Sequence, residues 1–256
     1  MALLLPALML LVPSVTWADG QPDVAAFGKD ASFTEVSGPA QQGNAEAQNR
    51  LGWMYEYGKG GVARDYKQAM YWLQKSVAQG NDKAQLNMGD MYFNGWGVPQ
   101  DYKQAVFWWR KSAEQGLDLA QSNLGLMYAK GQGVAQDYQQ AMYLDQKAAA
   151  QGNADGQYGI CALYLYGHGV AQDYKQAFYW CQKSAEQGNA LGQLGLGWLY
   201  DTGNGTAQDK TQAAYWYSKS AMQGNADAQE NLEALYSTPD SGGGSTYVRP
   251  VHNHRR

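Results

Sequence analysis

Few residues in this chain have the type and spacing that chemistry needs. Histidine occurs only at His168, His252 and His254. His168 lies in a glycine-rich segment, at a position where the equivalent segments carry unrelated residues, so we expect an exposed turn residue rather than a general base. His252 and His254 would offer a metal only two ligands near a chain terminus, which makes a weak site. We therefore expect no catalytic residue, no metal site and no cofactor.

Cys161 and Cys181 are the only cysteines, and they stand 20 residues apart. Export from the cytoplasm would permit a disulfide between them. However, the helical pattern predicts that Cys161 faces Ala177 and that Cys181 lies one turn beyond, which places the two Cα atoms farther apart than the roughly 7 Å that a disulfide allows. Buried free thiols are the favoured expectation, and a disulfide is the alternative.

The composition limits the classes of partner. The 256 residues are 45% hydrophobic and include 19 Tyr and 9 Trp, which is enough apolar material for a folded core. The formal net charge is -4, so the chain has no broad cationic field with which to hold a phosphate backbone. We expect no nucleic-acid partner.

The amino terminus resembles an export signal. Residues 2–15 form an apolar run that is followed by Thr16-Trp17-Ala18, with small residues where a signal peptidase cleaves. The run is too short to span a bilayer comfortably, so we expect residues 1–18 to be removed and the mature chain, without an integral membrane segment, to be periplasmic or secreted. No Lys or Arg precedes the run, which leaves a membrane anchor or a mis-assigned start as alternatives.

The rest of the chain repeats itself. Gln-Gly pairs recur with their glycines at Gly80, Gly116, Gly152, Gly188 and Gly224, in steps of 36 residues. Within each unit, apolar residues recur at helical spacing on either side of a glycine-rich break. Aspartates stand where the second helix of each unit should begin, and asparagines precede most of the first helices, as N-caps do. The pattern predicts two antiparallel helices per unit.

Some columns of the repeat predict the core. Small residues on the first helix (Gly52 and its equivalents) are expected to face alanines on the second (Ala69 and its equivalents). Aromatic pairs on the second helix, such as Tyr71-Trp72 and Phe107-Trp108, are expected to be buried between units, because each repeat covers its apolar face with its neighbours.

Taken together, these columns resemble the Sel1-like repeat family, a relative of the tetratricopeptide repeats. The resemblance implies an all-α fold, a right-handed α-solenoid of antiparallel helix pairs with five full repeats and a half repeat over residues 44–236. Residues 19–43 form an N-terminal segment outside the pattern, and residues 237–256 are expected to be a disordered basic tail. The family further implies that the chain binds another protein.

Columns that vary between repeats are candidates for the binding surface, since the columns that build the fold stay fixed. By resemblance to the tetratricopeptide superhelix, the first helices line the concave face. Eight variable residues there are the candidate partner-binding residues: Trp53, Tyr57, Asp90, Asn94, Leu126, Lys130, Tyr166 and Trp198.

The resulting hypothesis is an exported scaffold or adaptor that holds a protein or peptide partner on its concave face. A module that binds glycan or cell wall through the groove aromatics is the alternative. A hydrolase is less favoured, because no catalytic constellation recurs in the repeats.

Overall fold

The structure is a computed structural model that describes residues 31–237, and every regular element in that range is a helix. The helices are α1 (Phe33–Gln41), α2 (Ala45–Tyr57), α3 (Tyr66–Val77), α4 (Asp82–Asn94), α5 (Tyr102–Glu114), α6 (Asp118–Lys130), α7 (Tyr138–Ala150), α8 (Ala154–Tyr166), α9 (Tyr174–Glu186), α10 (Ala190–Thr202), α11 (Lys210–Met222) and α12 (Ala226–Ser237). The pairs α2/α3, α4/α5, α6/α7, α8/α9 and α10/α11 are repeats 1 to 5. The expected all-α repeat solenoid is confirmed.

Helix ends lie where the sequence places their caps. Asp65 begins α3, and its carboxylate accepts hydrogen bonds from the backbone N–H groups of Lys67 and Gln68 at 2.9 and 3.1 Å. Asn44 caps α2 by accepting from the Ala47 N–H at 2.8 Å. Gly58 ends α2 with φ of 64° and ψ of 44°, a left-handed conformation in which a side chain would be strained. Equivalent residues bound the later repeats in the same way, except that Leu117 offers α6 no side-chain cap.

Two polar columns hold the helices of a repeat together. The Ser76 hydroxyl donates to the Ala45 carbonyl at 2.7 Å, which ties the end of α3 to the start of α2. The Gln79 side-chain amide donates to the Gln48 side chain at 2.7 Å. Because both bonds span antiparallel neighbours, the serine and glutamine columns fix how far one helix slides along the other.

Successive repeats pack mainly through the second helix of one repeat and the first helix of the next, and their first helices also touch. Helix α6 packs against α8 and α8 against α10, in addition to the contact of each helix with its chain neighbours. Between repeats 1 and 2, the Asn87 side-chain amide donates to the side-chain Oδ1 of Asn49 at 2.9 Å. The first helices of repeats 3, 4 and 5 therefore lie side by side.

The expected pairing of small residues with alanines is incomplete, because the Ala69 carbonyl lies 3.3 Å from a Cβ placed on Gly52 but the side chain that faces each glycine lies one helical turn beyond the alanine. A Cβ placed on Gly52 would lie 2.7 Å from the Leu73 side chain, and one on Gly89 would lie 2.4 Å from the Trp109 ring. The column that faces the glycines is thus Leu73, Trp109, Asp145, Cys181 and Tyr217, four residues beyond the alanine column. The staggering of antiparallel helices decides this register, and periodicity alone does not specify it.

The expected burial of the aromatic pairs is wrong for the first ring of each pair. Five rings lie between 46% and 53% exposed on the second helices: Tyr71, Phe107, Tyr143, Tyr179 and Tyr215. A lysine four residues later places its ammonium group 5.0 to 5.1 Å from each ring centroid. The second ring of the pair is partly buried, and the fully covered ring of repeat 2 is Trp109 rather than Trp108.

The segment before repeat 1 contributes a helix of its own. Helix α1 packs on α2 through Val36 and Ala40, which are buried in one cluster with Leu51 and Met54. In the part of the chain that is described, no helix is long and apolar enough to cross a membrane. The predicted export signal (1–18), most of the predicted basic tail (237–256) and the pair His252 and His254 lie outside the described residues.

Candidate functional site

The eight candidate residues lie on the first helices, and the structure divides them by exposure. Six are partly buried: Trp53, Tyr57, Asn94, Leu126, Lys130 and Tyr166. Asp90 and Trp198 are buried, at 3% and 8% exposure. These two side chains pack inside the array.

Aromatic rings cluster where repeat 1 meets repeat 2. The Trp53 and Tyr57 rings lie 5.4 Å apart between centroids, and the Arg50 guanidinium carbon lies 4.3 Å from the Trp53 centroid. Trp96, from the turn of repeat 2, stacks on Tyr66 at 5.8 Å and meets Tyr57 edge-on at 6.1 Å. The candidate residues Trp53 and Tyr57 therefore belong to a ring cluster that also contains Tyr66 and Trp96, which were not predicted from the sequence.

A buried carboxylate lies beside these rings. Glu56 is 2% exposed, and among residues 31–237 no cationic side chain forms an ion pair with its carboxylate. Burial raises the pKa of Glu56 to about 8, and the nearby Tyr57 hydroxyl offsets part of the rise. An uncompensated charge at this depth is costly, so the group favours a proton or a cation.

Asp90 brings a second carboxylate to the same junction. Its Oδ1 accepts a hydrogen bond from the Trp109 Nε1–H at 3.0 Å, and its backbone carbonyl accepts one from the Asn94 side chain at 3.0 Å. Burial, and then repulsion by Glu56, raises the pKa of Asp90 well above its usual range. Glu56 and Asp90 therefore place two buried carboxyl groups between the first two repeats, and each favours either a proton or a nearby cation.

Repeat 5 carries an acidic residue at the position of Glu56, and a lysine of the same repeat pairs with it. Asp201 is buried at 2% exposure, and its Oδ1 forms an ion pair with the Lys210 ammonium group. Lys210 stands where repeats 1 to 4 have tyrosine, beginning with Tyr66. Nearby Trp198 lies 6.1 Å from the Tyr174 ring of repeat 4.

The middle repeats present a different surface. Burial lowers the pKa of Lys130 to about 8. Tyr166 lies 5.7 Å from His168, which is exposed as expected and stacks on Tyr138 of the preceding repeat at 4.6 Å. His168 thus helps to seat one repeat on the next. No group of three or more metal-binding side chains occurs between residues 31 and 237.

Cys161 and Cys181 form a disulfide, and the expectation of free thiols is wrong. Their Cα atoms lie 5.2 Å apart, within the range that a disulfide requires. The error follows from the helix register described above, because Cys161 occupies the glycine column and faces Cys181 rather than Ala177. Both residues are fully buried.

Glu56 is not among the eight candidate residues that the sequence indicated. A comparison between repeats could have found it, since the same column holds Phe93, Ala129 and Leu165 in repeats 2 to 4. Acids at the two ends of an otherwise apolar column indicate buried charge.

Comparison with known proteins gives the family. The Sel1 repeat model matches residues 45–81, 82–117, 118–153, 154–189 and 190–225, which are the five helix pairs described above. Proteins built from Sel1 repeats generally serve as scaffolds for protein interactions, and the family is not a catalytic one.

Solved structures share the fold. A Sel1 repeat protein from Oxalobacter formigenes is 34% identical with a TM-score of 0.74, over 80% of this chain and 81% of that one. The protective antigen c5321 of uropathogenic Escherichia coli, described as displaying an SLR fold, is 39% identical with a TM-score of 0.70, over 80% of this chain and 44% of that one.

Among curated proteins, the match is partial. HRD3A of Arabidopsis thaliana, an ERAD-associated E3 ubiquitin-protein ligase component, is 33% identical over 69 residues. That alignment covers 27% of this chain and 10% of HRD3A, so the chain spans only a small part of the length of that protein. With five consecutive matches that coincide with its helix pairs, the chain belongs to the Sel1 repeat family.

Proposed function

We propose that the protein is an exported scaffold that binds a protein or peptide partner along the concave face of its repeats. The first helices form the inner layer in this proposal. In a curved stack the elements on the inside lie closest together, and contacts between successive first helices, such as α6 with α8, agree with that placement.

The observation that carries the proposal is the variety of side chains on the first helices. Columns that build the fold repeat from unit to unit, whereas Trp53, Asp90 and Leu126 occupy one column without any common chemistry. Tyr57, Lys130 and Tyr166 differ in the same way one turn later, and all three remain partly exposed. A surface that varies while the backbone repeats is suited to one particular partner.

Export is supported by two independent features. The apolar run and the small residues before Ala18 resemble a cleaved signal. The Cys161–Cys181 disulfide is typical of proteins that reside in an oxidising compartment.

A protein partner is favoured over a glycan. Aromatic rings that stack on sugars need an open face. Here Tyr57 is engaged by Trp53 and Trp96, and Tyr166 is close to His168.

The test is site-specific photo-crosslinking in the periplasm. A photoreactive phenylalanine replaces Lys130 or Tyr166 on the first helices, or Tyr143 or Tyr179 on the second helices as matched controls. We expect the first pair to crosslink one polypeptide and the second pair to leave it unlabelled. Crosslinks from the second helices alone would reject the concave face. Sedimentation with purified cell wall, without any crosslinked polypeptide, would favour the glycan alternative.

A further inference from the structure

Glu56 lacks the partner that its buried position calls for. Its column is enclosed in every repeat, with exposures of 2% to 8% for Glu56, Phe93, Ala129, Leu165 and Asp201. Among residues 31–237, no cationic side chain forms an ion pair with Glu56, and the polar group that acts on its carboxylate is the Tyr57 hydroxyl. A carboxylate that is buried and unpartnered is destabilising unless something neutralises it.

Repeat 5 shows what satisfies an acid in this column. Asp201 is neutralised by Lys210, whose ammonium group comes from the first position of the second helix. In repeat 1 that position is Tyr66, which cannot supply a cation. The same backbone geometry therefore holds a filled acid–cation pair at one end of the array and an acid alone at the other.

The surroundings of Glu56 also suit a cation. Tyr57, Tyr66 and Trp96 contact one another around the junction. Asp90 lies close enough to raise the pKa of Tyr57 together with Glu56, after burial itself. Aromatic rings beside carboxylates favour ammonium and guanidinium groups through both charge and ring quadrupole. Tyr57 and Trp96 keep partial exposure, so the cluster borders the surface.

We infer that Glu56 and Asp90, framed by Tyr57, Tyr66 and Trp96, form a subsite for one lysine or arginine side chain of the partner polypeptide. The inference rests on the proposed function, because it places the subsite on the inner layer that the partner would follow. The partner's cation takes the place that Lys210 holds beside Asp201.

The experiment uses three capped peptides as probes: Ser-Gly-Arg-Gly-Ser, Ser-Gly-Lys-Gly-Ser and Ser-Gly-Gln-Gly-Ser. Each is titrated into the mature chain while the indole N–H resonances are followed by NMR. The Trp109 indole donates to Asp90, and Trp96 belongs to the frame, so both report on the subsite. We expect the arginine and lysine peptides to shift these two resonances and the glutamine peptide to leave them unchanged.

Three variants locate the binding. Glu56→Gln keeps the shape and removes the charge, so the apparent affinity should fall by about tenfold or more. Asp201→Asn is the matched control, because that acid is already paired, and it should bind the peptides as the parent does. Tyr66→Lys should fill the subsite from within, as Lys210 does in repeat 5, and abolish the shifts.

Unchanged affinity of the arginine peptide in Glu56→Gln, with circular dichroism and melting temperature showing a folded protein, would overturn the subsite. So would equal shifts with the glutamine peptide. The proposed function would survive either result if the crosslinks from Lys130 and Tyr166 persist. Loss of those crosslinks would contradict the proposed scaffold function, so failure of the subsite and failure of the proposed function are distinguishable.

Discussion

The sulfur atoms of Cys161 and Cys181 join the two helices of repeat 4 at the point where the other four repeats oppose a glycine to a larger side chain. Gly52 faces Leu73, Gly89 faces Trp109, and Gly197 faces Tyr217 in the same geometry. The disulfide therefore replaces a packing contact, and each repeat fills the gap between its helices by a different means.

Replacing both cysteines by serine should destabilise the protein. The two residues are 20 apart in sequence. A crosslink that closes a loop of this length contributes about 3 kcal/mol through the entropy of the unfolded chain. Urea denaturation with and without reductant measures the effect. Reductant should lower the free energy of unfolding of the parent and leave that of the double-serine variant unchanged. Cys161→Gly with Cys181→Leu copies repeat 1 and should recover part of the loss. A parent that is insensitive to reductant, with two alkylatable thiols after unfolding, would contradict the disulfide.

Gly89→Ala should destabilise repeat 2. The added Cβ would lie 2.4 Å from the Trp109 ring, so either the ring or the helix must move. Overpacking of this kind costs about 1 to 3 kcal/mol. Gly38→Ala is the control, because no atom lies within 4 Å of its Cβ, and it should be neutral or slightly stabilising. Equal melting temperatures for the two variants would show that the helices are not in close contact at Gly89.

Two adjacent tryptophans should differ in their importance for folding. Trp109 is 3% exposed and donates to Asp90, whereas Trp108 is partly buried. Trp109→Ala leaves a cavity and a buried carboxylate without its donor, which should cost about 3 to 5 kcal/mol. Trp108→Ala should cost clearly less. Denaturant titration of both variants tests the register of α5, and the reverse order would refute it.

Glu56→Gln should change how stability depends on pH. The pKa of Glu56 is raised to about 8 in the folded protein from 4.5, so between these values the folded state binds more protons than the unfolded state. Stability from this group is therefore complete below pH 4.5 and is lost as pH rises towards 8. Each pH unit of this loss corresponds to at most about 1.4 kcal/mol. The burial of Asp90 beside it acts in the same direction, and Tyr57 and Tyr66 are the other titratable groups of the cluster.

Melting temperatures measured from pH 5 to pH 9 check this sign. The parent should lose more stability than Glu56→Gln over that interval. Asp201→Asn removes an acid that has an ion pair, so it should not flatten the profile in this way. Parallel profiles for the parent and Glu56→Gln would mean that Glu56 is ionised and stabilised at neutral pH.

Deleting residues 117–152 should leave a folded protein. The deletion removes α6 and α7 and joins Gly116 to Asn153, which restores an asparagine cap where Leu117 provides none. Because each repeat contacts only its neighbours, the shortened array should stay helical and unfold at lower denaturant concentration. Circular dichroism and urea titration measure both, and complete loss of helix would argue against independent repeats.

The sequence alone determined the elements of this protein. The 36-residue period, the aspartate and asparagine caps and the left-handed glycines depend on local backbone geometry, so residues close in sequence specify them. The family and the all-α fold could be predicted for the same reason.

Only the tertiary structure decided how the helix faces meet. Helical spacing shows that Gly52 and Trp53 point different ways, but the stagger between antiparallel helices selects Leu73 rather than Ala69 as the opposing residue. That stagger forms the disulfide of repeat 4. Neighbouring repeats leave Tyr71 exposed and bury Glu56. The periodicity of a single helix predicts neither outcome. The cluster of Glu56 and Asp90 likewise depends on packing between repeats, since the two carboxylates belong to different helices and meet only when repeat 2 docks on repeat 1.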